Sequence, residues 1–276
     1  MDMIQTPYGD IEYRLEGTGS RTALLLYGGH TSAGTRLGED YFLGRGYRVL
    51  AVSRPGYGRT PLSTGATPDR FADALSEMLK LLGISSVLVV GISAGGRSAI
   101  RFAARHANMT DKLILQSSIS FAPWPGRTTR ILSYGAFNSF TERYTWRIVR
   151  YWLRKKPSSA IRAMIASLTT LDPYKVASSL NYKHSQDLKD LFANMSSGRG
   201  FLNDIKTSDN DAADVAVPTL IIHSQYDKAV PLSHPRLLAR QIKSSKLWLS
   251  QAESHLLWFS SHYEEIKRVM DEFLGF

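Results

Sequence analysis

Residues 87–106 read VLVVGISAGGRSAIRFAARH. An apolar run ends on Gly91, a serine follows between small residues, and a helical pattern begins at once. This junction restricts the fold more than any other stretch of the chain. A continuous apolar run fits a strand buried on both faces, and such a strand needs helices to cover it. A turn this abrupt between strand and helix admits only small side chains two residues before and after its apex, because larger ones meet the flanking strand or helix. Gly91-Ile92-Ser93-Ala94-Gly95 meets that condition and fits G-x-S-x-G. The turn pushes the Ser93 hydroxyl out above the sheet, beside the start of the next helix. There the backbone N–H of Ala94 is placed to hold an oxyanion.

The pattern by itself is weak evidence, since the chain's own glycine and serine frequencies give roughly 0.2 chance matches. Its position between a strand and a helix is what gives it weight. Further strand-like runs lie at Ile11–Leu15, Thr22–Tyr27, Tyr47–Val52, Ser86–Gly91, Lys112–Gln116, Thr219–His223 and Lys246–Leu249. Helical patterns lie between them, at Asp69–Leu82, Gly95–His106, Pro231–Ile242 and Ser260–Leu274. In the first of these, Phe71, Leu75, Met78, Leu79 and Leu82 form one stripe and Gly83 marks the stop. Strands alternating with helices predict an α/β fold with a mainly parallel sheet flanked by helices.

The alternation breaks between about residue 120 and residue 212. FAPWPGRTTR reads as a turn-rich entry and TSDNDAADVAVP as the exit loop. Helical segments around 137–156, 157–170 and 184–196 lie between them. We therefore expect a core of residues 1–119 and 213–276, with 120–212 as a helical cap over one end of the sheet. In 141–156, Arg143, Arg147, Arg150 and Arg154 share one face and Trp146, Val149 and Leu153 another.

The formal charge is +10, and residues 120–206 hold 14 Lys/Arg against 5 Asp/Glu, so nearly all the excess sits in the insertion. No nucleic-acid-binding motif accompanies it, so no nucleic-acid partner is expected. Trp146, Trp152 and the arginine face fit weak contact with an anionic membrane surface, whereas a solvated basic face is the plainer reading. The apolar runs are far too short to span a bilayer, and MDMIQTPYGD lacks the features of a signal peptide. With no cysteine, thiol catalysis and cysteine-rich metal sites are excluded, and a cytoplasmic location is expected. No metal or cofactor is expected.

The segment from Gly91 to Ser98 also matches a phosphate-binding loop with arginine in place of lysine. Arg97 is the wrong residue for a compact point charge there, and the strand Lys112–Gln116 runs into Ser117 and Ser118 rather than an Asp that could support magnesium. A serine nucleophile instead needs a base and a carboxylate to orient it. Of seven histidines, His262, His106 and His184 fall in helical segments, His223 ends a strand, and His30 and His234 lie in loops. His255 follows the last strand, where a loop crosses the same end of the sheet as Ser93. Asp227, in TLIIHSQYDKAVP, follows the strand before it. The chain order is then Ser93, Asp227, His255.

Taken together, LLLYGGHTSAG, VSRPGYGRT, VVGISAGGRSA, PTLIIHSQYDKAVP and SHLLW resemble the α/β-hydrolase superfamily over nearly the whole chain outside the insertion. The resemblance implies Ser93 as nucleophile, His255 as general base and then acid, and Asp227 as its orienting carboxylate. It also implies an oxyanion hole formed by the N–H groups of Ala94 and Gly29. The chain departs from the family at three places. Tyr27-Gly28 stands where His-Gly is usual, Ser254 stands for the glycine before the catalytic histidine, and Ser53 stands for the aspartate before RPGYG. The expected activity is carboxylesterase-like hydrolysis of a small-molecule ester. Lactone, thioester, amide and carbon–carbon bond hydrolysis use the same fold, and a hydrolase-like ligand-binding protein with little turnover is the alternative of another class.

Overall fold

The computed structural model describes residues 1–206 and 210–276. Eight strands form one sheet: β1 (Asp2–Thr6), β2 (Gly9–Glu16), β3 (Arg21–Leu26), β4 (Tyr47–Val52), β5 (Val87–Ile92), β6 (Thr110–Gln116), β7 (Thr219–Ser224) and β8 (Ser245–Ser250). Their order is β1-β2-β4-β3-β5-β6-β7-β8. β1 and β2 pair antiparallel, as do β2 and β4, and all other neighbours are parallel. The seven expected strands are present. β1 is an addition: it is an edge strand with mostly exposed side chains, so its sequence carries no apolar pattern.

The helices of the core are α1 (Glu39–Gly44), α2 (Pro68–Leu81) and α3 (Gly95–Arg105). Between β6 and β7 follow α4 (Arg127–Ala136), α5 (Glu142–Lys155), α6 (Pro157–Ile165), α7 (Pro173–Ser179), α8 (Tyr182–Ala193) and α9 (Gly200–Asp204). α10 (Ser233–Gln241) and α11 (Tyr263–Leu274) complete the set. The segment between β6 and β7 holds more helices among the described residues than its sequence announces. α4 begins inside the segment read as a turn-rich entry, because most of its residues are exposed and give no apolar stripe. Of the exit loop, residues 207–209 lie outside the described residues. No helix among the described residues is long and apolar enough to cross a membrane.

Alternate residues of each parallel strand feed two apolar layers. Leu24, Leu26, Val87 and Val89 pack against Phe71, Leu75 and Met78 of α2 and Phe102 of α3. Ala23, Leu25, Leu88 and Val90 face the other way, toward Phe42 of α1, Ile266 and Met270 of α11, and Leu153, Ile165 and Phe192 of the insertion. Each fully buried side chain of this size contributes about 1.5–3 kcal/mol. The insertion thus shares one apolar cluster with that face of the sheet. α2 illustrates local encoding: Thr67 caps it by accepting the Arg70 N–H, Pro68 opens it, and Gly83 at φ 66° ends it.

Candidate active site

The parallel run β3-β5-β6-β7-β8 sends the loops after all five strands to one edge of the sheet. Ser93, Asp227, His255 and Gly29 follow β5, β7, β8 and β3 at that edge. Ser93 sits at φ 50°, one of three non-glycine residues with positive φ among the described residues; His30 and Ser117 are the others, and all three lie in these loops. Such strain persists only where the surroundings enforce it. Here Ser93 N–H donates to the Gln116 carbonyl at 3.0 Å, tying the apex to the end of β6. A side chain on Gly95 would overlap the Leu26 and Tyr27 carbonyl oxygens. The small-residue rule read from the sequence therefore has a steric cause: α3 starts against the backbone of β3.

The two expected oxyanion donors share one construction. The Ser93 carbonyl, in the same peptide unit as the Ala94 N–H, accepts from Gly96 N at 3.0 Å and Ile119 N at 3.1 Å. The Gly28 carbonyl, in the same peptide unit as the Gly29 N–H, accepts from Thr31 Oγ1 at 2.8 Å and Arg54 Nη2 at 2.9 Å. Neither N–H donates to another described residue. Gly28 lies against the elbow, where a Cβ would come within 2.8 Å of Ser93 Cβ. Arg54 also donates to the Tyr27 carbonyl at 2.7 Å and pairs with both oxygens of Asp204 on α9, at 2.6 and 2.8 Å. Burial opposes its charge, but Asp204 outweighs burial and raises its pKa. Tyr57 donates to the same Asp204 carboxylate at 2.6 Å. Sequence reading missed Arg54, although it stands inside the VSRPGYGRT motif; its partner Asp204 lies 150 residues away.

Asp227 and His255 are joined. His255 Nδ1 lies 2.7 Å from Asp227 Oδ2, and the Asp227 side chain is fully buried. Oδ1 accepts the Val230 N–H at 2.8 Å, and His223 Nε2 stands 3.3 Å from Oδ2 while donating to the Val230 carbonyl at 2.8 Å. The His255 backbone is held at both ends: its N–H donates to the Leu168 carbonyl at 2.9 Å, and its carbonyl accepts Ser117 Oγ at 2.8 Å. Leu168 and its neighbours also stitch the insertion to the Asp227 loop, through Lys228 N–H on the Leu168 carbonyl and Thr170 N–H on the Tyr226 carbonyl. Ser93 Oγ forms no hydrogen bond with His255 among the described residues. Ser93 is 9% exposed and His255 7%, so the edge is nearly closed. Catalytic contacts of this kind often tighten only when substrate is bound.

The remaining histidines have other partners. His30 Nδ1 lies 2.7 Å from Ser197 Oγ, which also accepts Trp146 Nε1 at 2.9 Å. Its ring packs 4.0 Å from Phe201 and 4.8 Å from Phe137, centroid to centroid, so α5, α9 and Phe137 at the end of α4 roof the loop after β3. Burial, with Arg54 adding to it, lowers His30 to a pKa of about 3. His234 lies on α10 and not in the expected loop; its Nδ1 accepts the Ser120 N–H at 3.1 Å, and burial lowers it to about 4. His106 pairs with Asp73, His184 packs on Phe259, and His262 precedes α11. Arg97 donates to the carbonyls of Ser120, Ala122, Asp204 and Lys206, so its guanidinium is committed to structure rather than to a phosphate. No cluster of three ligating side chains that could hold a metal occurs among the described residues. A cleft of about 780 Å³ between α1, α8 and α11 contains none of the residues implicated here.

The three departures from the family pattern are accommodated. Tyr27 donates to Glu39 at 2.9 Å, and Glu39 pairs with Arg14. Ser53 donates to Glu12 Oε2 at 2.7 Å and accepts the Ala33 N–H, so a carboxylate from β2 stands behind it. Ser254 Oγ accepts the Leu256 N–H.

Comparison with known proteins agrees with this construction. The family model described as alpha/beta hydrolase fold matches residues 24–261. A Bacillus subtilis (strain 168) protein named uncharacterized hydrolase YcgS is 30% identical over 272 residues, covering 96% of this chain and 95% of that protein. A 2-hydroxy-6-oxononadienedioate/2-hydroxy-6-oxononatrienedioate hydrolase of Burkholderia vietnamiensis (strain G4 / LMG 22486) is 34% identical over 133 residues, 44% of this chain and 46% of that one. Among solved structures, an alpha/beta hydrolase fold protein from Nakamurella multipartita superposes with a TM-score of 0.81 at 24% identity, over 99% of this chain and 98% of that one. The chain belongs to the α/β-hydrolase fold family.

Proposed function

We propose that this hydrolase cleaves a small or medium carboxylic ester through an acyl-enzyme. Ser93 is the nucleophile, His255 the base and then the acid, and Asp227 the orienting carboxylate, with residues 120–212 as the cap. The observation that carries the reading is the 2.7 Å Asp227–His255 pair at the strand edge where Ser93 is held at φ 50°. With Nδ1–H donated to Asp227, His255 Nε2 is free to accept the Ser93 proton as Oγ attacks the carbonyl. The oxyanion is received by the N–H groups of Ala94 and Gly29. His255 then protonates the leaving alcohol and activates water for deacylation.

Carbon–carbon bond hydrolysis is the second reading, suggested by the name of the Burkholderia relative. A dioate substrate calls for cations, and both buried arginines beside the elbow are committed, Arg54 to Asp204 and Arg97 to four carbonyls. That favours an ester with a neutral acyl group. Labelling by a fluorophosphonate probe and turnover of p-nitrophenyl esters test the proposal. Both are expected for the wild type and abolished in Ser93→Ala. No labelling and no turnover would favour the ligand-binding alternative, and turnover of a vinylogous diketone but of no ester would favour the second reading.

A further inference from the structure

The outer surface of the insertion is unusual in both polarity and charge. Ile131, Leu132 and Tyr134 on α4 and Phe140 in the link to α5 are exposed. So are Tyr144, Ile148, Tyr151 and Trp152 on α5. These are eight of the fifteen exposed large hydrophobics among the described residues. At 100° per residue, Tyr144, Ile148 and Tyr151 form one stripe along α5, with Trp152 beside it. Trp146 and Leu153 lie on the opposite side and are buried. The sequence suggested one apolar face; α5 has two, with the arginines 143, 147, 150 and 154 between them. The same stretch, residues 127–156, contains eight Lys/Arg and one acidic residue, Glu142. Glu142 is taken by Ser196 and the Ser197 N–H, and no ion pair among the described residues involves any of the eight.

Exposed apolar side chains concentrated on two consecutive helices mark an interaction site, and charge decides the partner. A second copy docked face to face would set seven excess positive charges against seven. An anionic bilayer matches both properties at once, because tyrosine and tryptophan rings settle at headgroup depth while arginines meet phosphates. We propose that α4 and the outer stripe of α5 dock on an anionic lipid surface, with α5 lying in its plane. The inner face of that helix carries Trp146, which packs 5.2 Å from the His30 ring above the loop after β3. The docked face and the roof of the site are therefore two sides of one helix. Binding depends on this surface and not on the proposed reaction.

The test is flotation of the full chain with phosphatidylcholine vesicles, with and without phosphatidylglycerol. The chain should float only with the anionic vesicles, less as salt is raised, and Ser93→Ala should behave as wild type. Arg147→Gln/Arg154→Gln should weaken binding by roughly tenfold or more, since each basic residue at such a surface is worth about a fivefold factor. Ile148→Asn/Trp152→Ser should weaken it comparably. Both variants should keep the wild-type circular dichroism and the wild-type rate on a water-soluble ester. No flotation, or equal flotation by wild type and both variants, overturns the proposal. So does a concentration-dependent dimer that Ile148→Asn disperses in the absence of vesicle binding; that result would assign the face to a second copy.

Discussion

Arg54 is the residue on which the geometry converges. One guanidinium fixes the carbonyls of Tyr27 and Gly28 and reaches across to Asp204 on α9. A charged donor on the Gly28 oxygen orients the Gly29 N–H away from it and strengthens that N–H as a donor, because hydrogen bonds in series polarise one another. Replacing Arg54 by methionine should lower kcat by about 10–100-fold, with KM little changed, since the Gly29 N–H, as the proposed oxyanion donor, acts chiefly on the transition state. It should also destabilise the fold by about 2–4 kcal/mol, because Asp204 keeps a largely buried charge that has lost its cation and retains only the Tyr57 hydrogen bond. Arg54→Met/Asp204→Asn separates the two effects. Urea unfolding should show stability largely restored, and steady-state kinetics should show kcat still low. Recovery of kcat in the double variant would mean that Arg54 serves only to neutralise Asp204.

At the level of elements, the β5–α3 junction and the end of α2 both use glycine, for different reasons. Gly83 ends α2 at φ 66° with nothing within 4 Å of a Cβ, so Gly83→Ala should cost only the left-handed backbone penalty, about 1–2 kcal/mol. Gly95 is pressed against the Leu26 and Tyr27 carbonyls, which cannot retreat without parting β3 from β5. Gly95→Ala should therefore cost more than about 3 kcal/mol. Chemical denaturation of the two variants side by side checks the order; equal costs would show that the elbow has slack.

Across the whole molecule, buried histidines set the acid limit of stability. His30 and His234 are lowered to about 3 and about 4, and His223 is lowered as well, each chiefly by burial. The unfolded chain takes up these protons near pH 6.5, while the folded chain resists until much lower pH. Their contribution is thus complete above about pH 6.5 and is lost as pH falls toward 4. Carboxylates held low, such as Glu12, where hydrogen bonds from Ser53 and Arg59 outweigh burial, and Asp271 beside Arg45, lose theirs only below their ordinary values of 4.5 and 3.8. The Tm should accordingly begin to fall near pH 6.5. His234→Asn keeps an acceptor for the Ser120 N–H without the titration, and it should flatten the slope between pH 6.5 and 4.

Residues that act through local pattern were legible in the sequence. The apolar runs announced seven strands of the sheet, and the small residues around Ser93 announced the elbow. The order Ser93, Asp227, His255 announced which loops would meet, because parallel strands send their C-terminal ends to one edge. β1, α1, α4, α7 and α9 were not legible, since exposed or very short elements have little apolar periodicity. Three further features needed the tertiary structure: Asp204 opposite Arg54, Leu168 and Ser117 holding the His255 backbone, and the second apolar face of α5 left in solvent. Each depends on which distant segments touch or fail to touch. Periodicity records a residue's neighbours along one helix or strand; it carries no record of what packs across the gap between them.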